Sequence, residues 1–158
     1  MDPATEATFQ ALLALPVAAL GTLHDGAPFV SMVPVVPEPD GAGFLIHVSR
    51  LAQHTRDLMA DDRVSLLFMQ PLDADQDPLA LPRLTLQGAA EAIPTDSEAH
   101  ESAAEAYLAR FQQAEMTLGL GDFSFFRIRP RSGRLVSGFG QALSLDAKQI
   151  QAGLTPVS

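Results

Sequence analysis

Cysteine is absent from the chain, lysine occurs once, at Lys148, and no lysine or arginine precedes Arg50. The first absence excludes a disulfide framework, a thiolate metal site and a cysteine nucleophile, and leaves the cytoplasm as the expected compartment. The second makes nine of the ten cationic side chains arginines, set against 19 Asp plus Glu for a net charge of -9. That balance repels a phosphate backbone and an anionic membrane surface, so nucleic acid is excluded as a partner. Long apolar runs are missing too: the longest uncharged stretch, Ala7 to Leu23, is interrupted by Pro16, whereas a membrane-spanning helix needs about 20 apolar residues. A secretory leader would carry Lys or Arg ahead of its apolar region, where this chain has Asp2 and Glu6. The chain therefore reads as soluble, unprocessed and without a membrane partner.

What is present is enough apolar material to fold. At 158 residues, 47 % hydrophobic and 18 % charged, the chain reads as one domain over residues 1–158. Phe9, Leu12 and Leu13 at helical spacing predict a short helix over Thr5–Leu15, ended by Pro16. Val17–Leu23 and Ala27–Val36 read as strands around the hairpin turn His24-Asp25-Gly26, and the turn Pro37 to Gly41 leads into a strand over Phe44–Val48. Between Ser49 and Asp62 the apolar period turns helical through Leu51, Thr55, Leu58 and Met59, with Ser49 as N-cap. Val64–Met69 and Leu84–Ile93 are strands on either side of an exposed Pro- and Asp-rich loop. Thr95-Asp96-Ser97-Glu98 matches a capping box ahead of a helix over Ala99–Phe111. Phe123–Ile128, before Pro130, and Leu135–Leu145, which Gly138 and Gly140 allow to bend, complete the strands, and a helical turn over Asp146–Ala152 is stopped by Gly153. Short connections between sequential strands predict a mainly β fold, an antiparallel barrel with flanking helices.

Several clusters of chemistry can be set aside. Asp61-Asp62 and the trio Asp73, Asp75 and Asp77 read as solvated loop charges, the trio lacking the glycine and bidentate glutamate of a calcium loop. His47, His54 and Asp57 match no familiar metal-ligand spacing, so no metal is expected, and Ser49, His54 and Asp57 lack the Gly-x-Ser-x-Gly elbow of a hydrolase. Arg127, Arg129 and Arg131 alternate along a strand, which suits surface pairing or an interface. The run Ser49-Arg50-Leu51-Ala52-Gln53-His54-Thr55-Arg56 is different: hydroxyls, guanidiniums, an amide and an imidazole gather at a helix start, where free N–H groups favour an anion. Spacing alone does not separate that reading from a plain cap whose arginines pair with Asp57, Asp61 or Asp62.

The same residues carry a likeness. Gly26 to Pro34, Leu45 to Leu58 and Arg63 to Phe68 resemble, in order and spacing, the flavin-binding split barrels related to pyridoxamine 5'-phosphate oxidase, and Arg83 to Gly88 with Gly138 to Ala142 point toward the branch that includes haem-iron utilisation proteins. The resemblance implies a six-stranded antiparallel split barrel and a homodimer that binds FMN at the subunit interface. It implies that Val30, Ser31, Met32 and Val33 run beside the flavin ring, and that Ser49, His54 and Thr55, assisted by Arg50 or Gln53, hold the phosphate. Arg83 falls at a polar contact to the flavin, and Phe139 at a position covering the ring or the partner's groove. The oxidase itself has an Arg-Lys pair where this chain has Gln53 and His54, and its basic and aromatic substrate contacts have no counterpart in Gly138 to Ala142. The expectation is thus an FMN-dependent oxidoreductase acting on a small molecule other than pyridoxamine phosphate. The alternative is a haem- or flavin-binding protein without redox turnover, in which His24, His47 or His100 would ligate iron.

Overall fold

The computed structural model describes residues 1–155. Its sheet grows from local hairpins. Between β1 (Val17–His24) and β2 (Ala27–Pro34), Asp25 and Gly26 take φ of 50° and 80°, the left-handed pair that lets a two-residue turn follow the twist of its strands. β3 (Val36–Pro37) pairs with β4 (Phe44–Ser49), and β5 (Arg63–Met69) with β6 (Arg83–Ala92). β7 (Phe123–Gly138) turns through Phe139 and Gly140 into β8 (Gln141–Asp146). All join one antiparallel sheet in the order β2-β1-β5-β6-β7-β4-β3, with β8 on β7. Because β2 and β3 are parts of a single segment separated only by Val35, the two ends of the sheet are covalently tied and the sheet curls into a split barrel. The barrel expected from the sequence is what forms. The sequence pattern outlined seven strands and the resemblance six; eight form, because Val36–Pro37 pairs separately, while the last two expected strands are redrawn as β7 and β8.

β7 runs 16 residues straight through Pro130, where the sequence pattern had suggested two strands. The reason is a change of neighbour. Phe123 to Ile128 pair with β4, Ser132 onward pairs with β8, and Pro130 lies in the gap. Opposite Pro130, β6 shifts register at Gln87/Gly88, a bulge suited to a residue that donates no N–H. Gly88 is required there, because a Cβ would strike the Arg129 carbonyl oxygen.

Flanking helices close the ends. α1 (Pro3–Leu13) is capped by Asp2, whose carboxylate accepts from the N–H groups of Ala4 and Thr5, both at 3.1 Å. α5 (Ala147–Leu154) starts on a reciprocal capping box between Asp146 and Gln149. Gly153 lies inside α5 and does not stop it; a Cβ there would hit the Phe9 ring, so this glycine sets how closely α1 and α5 cross. α2 (Gln53–Ala60) begins after Ala52, without a side-chain cap, and not at Ser49. Ser49 still belongs to β4, and its Oγ accepts from the Leu51 N–H and donates to Asp122, each at 3.1 Å. α3 (Glu98–Arg110) is capped by Ser97 rather than Thr95, and α4 (Glu115–Leu118) is one short turn. Among the described residues no helix is long and apolar enough to cross a membrane.

The barrel interior is filled by Leu20, Val33, Ile46, Leu66, Leu84 and the Phe44–Phe68 ring pair, whose centroids are 5.1 Å apart. Each such side chain contributes roughly 1.5–3 kcal/mol on burial. A second apolar cluster packs α3 through Ala103 and Tyr107 against Leu45 and Phe125 on the other face of the sheet.

Candidate functional site at the rim between β1, β2 and α2

Alternation along β1 sends Ala18, Leu20 and Thr22 inward, and His24 is next on that face, where the strand leaves the barrel. α2 lies over this rim. Its Asp57 is 3 % exposed and accepts three hydrogen bonds: from Thr22 Oγ1 at 3.0 Å on Oδ2, and from Gln53 Nε2 at 2.8 Å and His24 Nδ1 at 2.9 Å on Oδ1. Burial acts to raise the Asp57 pKa, but the bonds from Gln53, His24 and Thr22 outweigh it and hold the carboxyl below its usual range. An ionised, buried carboxylate selects the His24 tautomer with the proton on Nδ1. The Gln53 amide nitrogen, 2.8 Å from the same ring atom, then directs its hydrogens to Asp57. His24 Nε2 is left facing outward, with the exposed Asp25 carboxylate 3.6 Å away.

A second imidazole stands beside the first. His54 Nδ1 lies 3.0 Å from Ser31 Oγ; burial lowers the His54 pKa, and Asp57 offsets this only in part, so the ring is neutral near pH 7. Thr55 is fully buried, its hydroxyl donating to the Ser49 carbonyl at 2.6 Å. The Arg50 guanidinium donates to the Gly121 carbonyl, and Arg56 donates to Gln53 Oε1 at 3.0 Å. The fold thus brings Ser49, Arg50, Gln53, His54 and Thr55 close to Ser31 and engages each of them within the protein.

The pleat divides the β2 residues expected to act as a unit. Ser31 faces the rim and Val33 enters the core, whereas Val30 and Met32 project from the opposite face, 68 % and 64 % exposed. Arg83 and Phe139 lie elsewhere. Arg83 pairs with Met69 and Val136 and donates to the Leu81 carbonyl at 2.9 Å, while exposed Phe139 tops the β7–β8 turn. The register puts both at the end of the strands opposite His24, so one protomer does not join them to the α2 cluster.

Sequence reasoning missed the Thr22–His24–Asp57 arrangement, treating Asp57 as a surface partner for arginine and His24 as a turn residue. The signal was there: Thr22 and His24 share the inward alternation of β1, and Gln53 and Asp57 are four apart on one helix face. Of the arginine row, Arg129 makes a surface pair, with Glu91 at 2.9 Å, whereas the partly buried Arg127 forms a bidentate pair with the buried Glu38. His47 sits among Tyr107, Phe123 and Phe125, and burial, with His100 adding to it, pushes its pKa down to about 4.

The sequence profile described as pyridoxamine 5'-phosphate oxidase matches residues 4–137. The chain is 38 % identical over 119 residues to the chloroplastic non-canonical haem oxygenase HOZ of Arabidopsis thaliana, covering 75 % of this chain and 35 % of that protein. It is 30 % identical over 126 residues to the haem oxygenase HutZ of Vibrio cholerae, covering 79 % of this chain and 70 % of that one. A haem-binding protein from Mycobacterium smegmatis superimposes with a TM-score of 0.83 at 30 % identity, over 96 % of this chain and 61 % of that chain. This chain therefore spans about a third of the plant protein and under two thirds of the mycobacterial one.

Proposed function

The chain belongs to the pyridoxamine 5'-phosphate oxidase-like family, near its haem-utilisation branch, and from that premise we propose that it is a haem-handling protein, working as a cytoplasmic homodimer that takes the tetrapyrrole at the β1–β2–α2 rim. One observation carries the reading: the rim combines an outward-facing imidazole, the apolar ring of Phe29 on the same strand face, and the guanidiniums of Arg50 and Arg56. Those are the demands of haem, an apolar macrocycle whose iron takes nitrogen and whose propionates take cations. The named activities of HutZ and HOZ support the substrate class. Dimerisation is supported by Val30 and Met32, exposed on the outer face of an edge strand, in line with Gly21 and Ala19 of β1 and Ser65 and Leu67 of β5. A second copy is also what would carry Arg83 and Phe139 to a shared groove.

A second reading, FMN at the same rim, is favoured by the uncapped start of α2, where the N–H groups of Gln53, His54 and Thr55 have no intrahelical acceptor. Those groups, with His54 and Arg50, would hold the phosphate, and the flavin would supply hydride or electron transfer to a small substrate. Against it stand the internal commitments of Ser49 and Thr55, whose hydroxyls donate to Asp122 and to the Ser49 carbonyl. Haemin and FMN titrated separately into the purified chain, followed by absorbance, order the two readings. Tighter binding of haemin is expected; retention of FMN with no haemin complex would reverse the order.

A further inference from the structure

We propose that the cleft between α3 and the 38–43 connection binds a small organic cation, an ammonium group carried on an apolar body. The site is separate from the rim: Leu45, near the start of β4, belongs to this cleft, whereas α2 follows the end of the same strand. The cleft holds about 700 Å³, within the roughly 300–1,000 Å³ of small-molecule sites. Its floor is apolar. Leu45 is buried there, and Ala99, Ala103 and Ala106 recur at helical spacing along the facing side of α3, where larger side chains would fill the space. The opposite wall is a fixed turn, closed by the Glu38 N–H on the Gly43 carbonyl and the Gly41 N–H on the Glu38 carbonyl, both at 2.9 Å. The Glu38–Arg127 pair ties that turn to β7, so the cleft is formed in advance of any ligand.

Charge decides what the cleft accepts. Its lining contains one cation, Arg127, and Glu38 already neutralises it. Asp40, Glu98 and Glu105 line the same space, and among the described residues none of the three has an ion-pair partner. Glu98 alone is explained by its place in the first turn of α3, where the helix dipole favours a carboxylate. Glu105, seven residues on, gains nothing from the dipole, and Asp40 comes from a different element, yet both converge over the alanine floor. Carboxylates of one sign around a low-dielectric wall focus their field on the space between them. An anion is repelled there and a fully hydrated cation forgoes the floor; an ammonium with an apolar body satisfies both.

Naphthylmethylammonium, naphthylmethanol and naphthylacetate are titrated separately into the full chain at pH 7, followed by backbone amide NMR shifts. The ammonium shifts α3 and residues 38–45 and binds about 3–10-fold tighter than the alcohol, an advantage that closes in about 1 M salt. The carboxylate moves neither segment. The Glu98→Gln/Glu105→Gln double variant binds ammonium and alcohol alike, and Ala106→Leu, which fills the cleft, binds neither; Ala109→Leu, at an exposed lining position, gives the same loss should Ala106→Leu not fold. Equal affinity of the wild-type chain for ammonium and alcohol, shifts confined to other segments, or binding undiminished in the folded leucine variants overturns the proposal. Shifts of the same residues on dilution of the chain alone would assign the cleft to a second copy, and an oligolysine peptide bound there without the ammonium would assign it to a basic protein segment; either result also overturns the proposal. None of these outcomes bears on the haem or FMN readings, which concern the rim.

Discussion

Two ion pairs on one strand, two residues apart, offer a controlled test of what burial does to a charge. Arg127 Nε lies 2.7 and 2.6 Å from the two carboxylate oxygens of Glu38, and its Nη2 2.6 Å from Oε1, with side chains 16 % and 5 % exposed. Arg129 and Glu91 make a contact of similar length, 2.9 Å, but are 49 % and 55 % exposed. Replacing Arg127 by Met strands a carboxylate in a desolvated place, at a cost of about 3–5 kcal/mol. Replacing Arg129 by Met removes an interaction of about 0–1 kcal/mol. The Glu38→Gln/Arg127→Met double variant loses the stranded charge and recovers most of the deficit, retaining about 1–3 kcal/mol for an amide with unmet hydrogen bonds. For a domain of this size each kcal/mol moves Tm by about 2–4 °C, so Arg127→Met melts roughly 6–20 °C lower and Arg129→Met within about 4 °C of wild type. Urea unfolding at pH 7, followed by circular dichroism, gives the free energies. The reasoning is refuted if the two single variants agree within about 1 kcal/mol, or if the double variant is no more stable than Arg127→Met.

Other consequences are equally accessible. His47 has a folded-state pKa of about 4 against an ordinary 6.5, so the unfolded chain takes the proton first; stability present above pH 6.5 is lost as pH falls toward 4. His54, also lowered, adds in the same direction. His47→Phe should flatten that acid limb in urea midpoints measured between pH 7.5 and 5, and an unchanged slope would assign it to other groups. Gly88→Ala should lower Tm markedly because its methyl meets the backbone of Arg129 and Pro130, whereas Gly121→Ala, with open space around it, should not; equal melting points would refute the bulge argument. Met32→Glu, at an exposed position of β2, should convert a dimer to monomer in sedimentation without altering the circular dichroism spectrum, and a dimer that persists would place the interface elsewhere.

Much of the fold was legible because its signals are local. The Asp25-Gly26 turn, the helical period after Phe44–Ser49 and the alanine-rich α3 each depend on neighbours within a few residues. What escaped depends on distant partners. Pro130 reads as a strand breaker until β4 and β8 are seen to share β7 on either side of it. Gly153 reads as a stop until Phe9, far away in sequence, occupies the space its side chain would need. The site divides likewise. The gathering of polar side chains at the start of α2 is a matter of spacing, but the buried carboxylate that sets its electrostatics is fixed by Thr22 and His24, more than 30 positions upstream.

Pro130 also has a bearing on how this barrel can change over evolutionary time. A residue without an N–H, facing a bulge, divides β7 into two berths, one for β4 and one for β8, and neither neighbour can slide past it without losing a rung of its ladder. Insertions in the 38–43 connection or at the Phe139–Gly140 tip would therefore be absorbed where they occur, because the register on the far side of the divider is set independently. The two peripheral loops become separately adjustable, one beside the Glu38–Arg127 pair and the other at the exposed hairpin end, while the rim carrying His24 and Asp57 stays where β1 and α2 hold it.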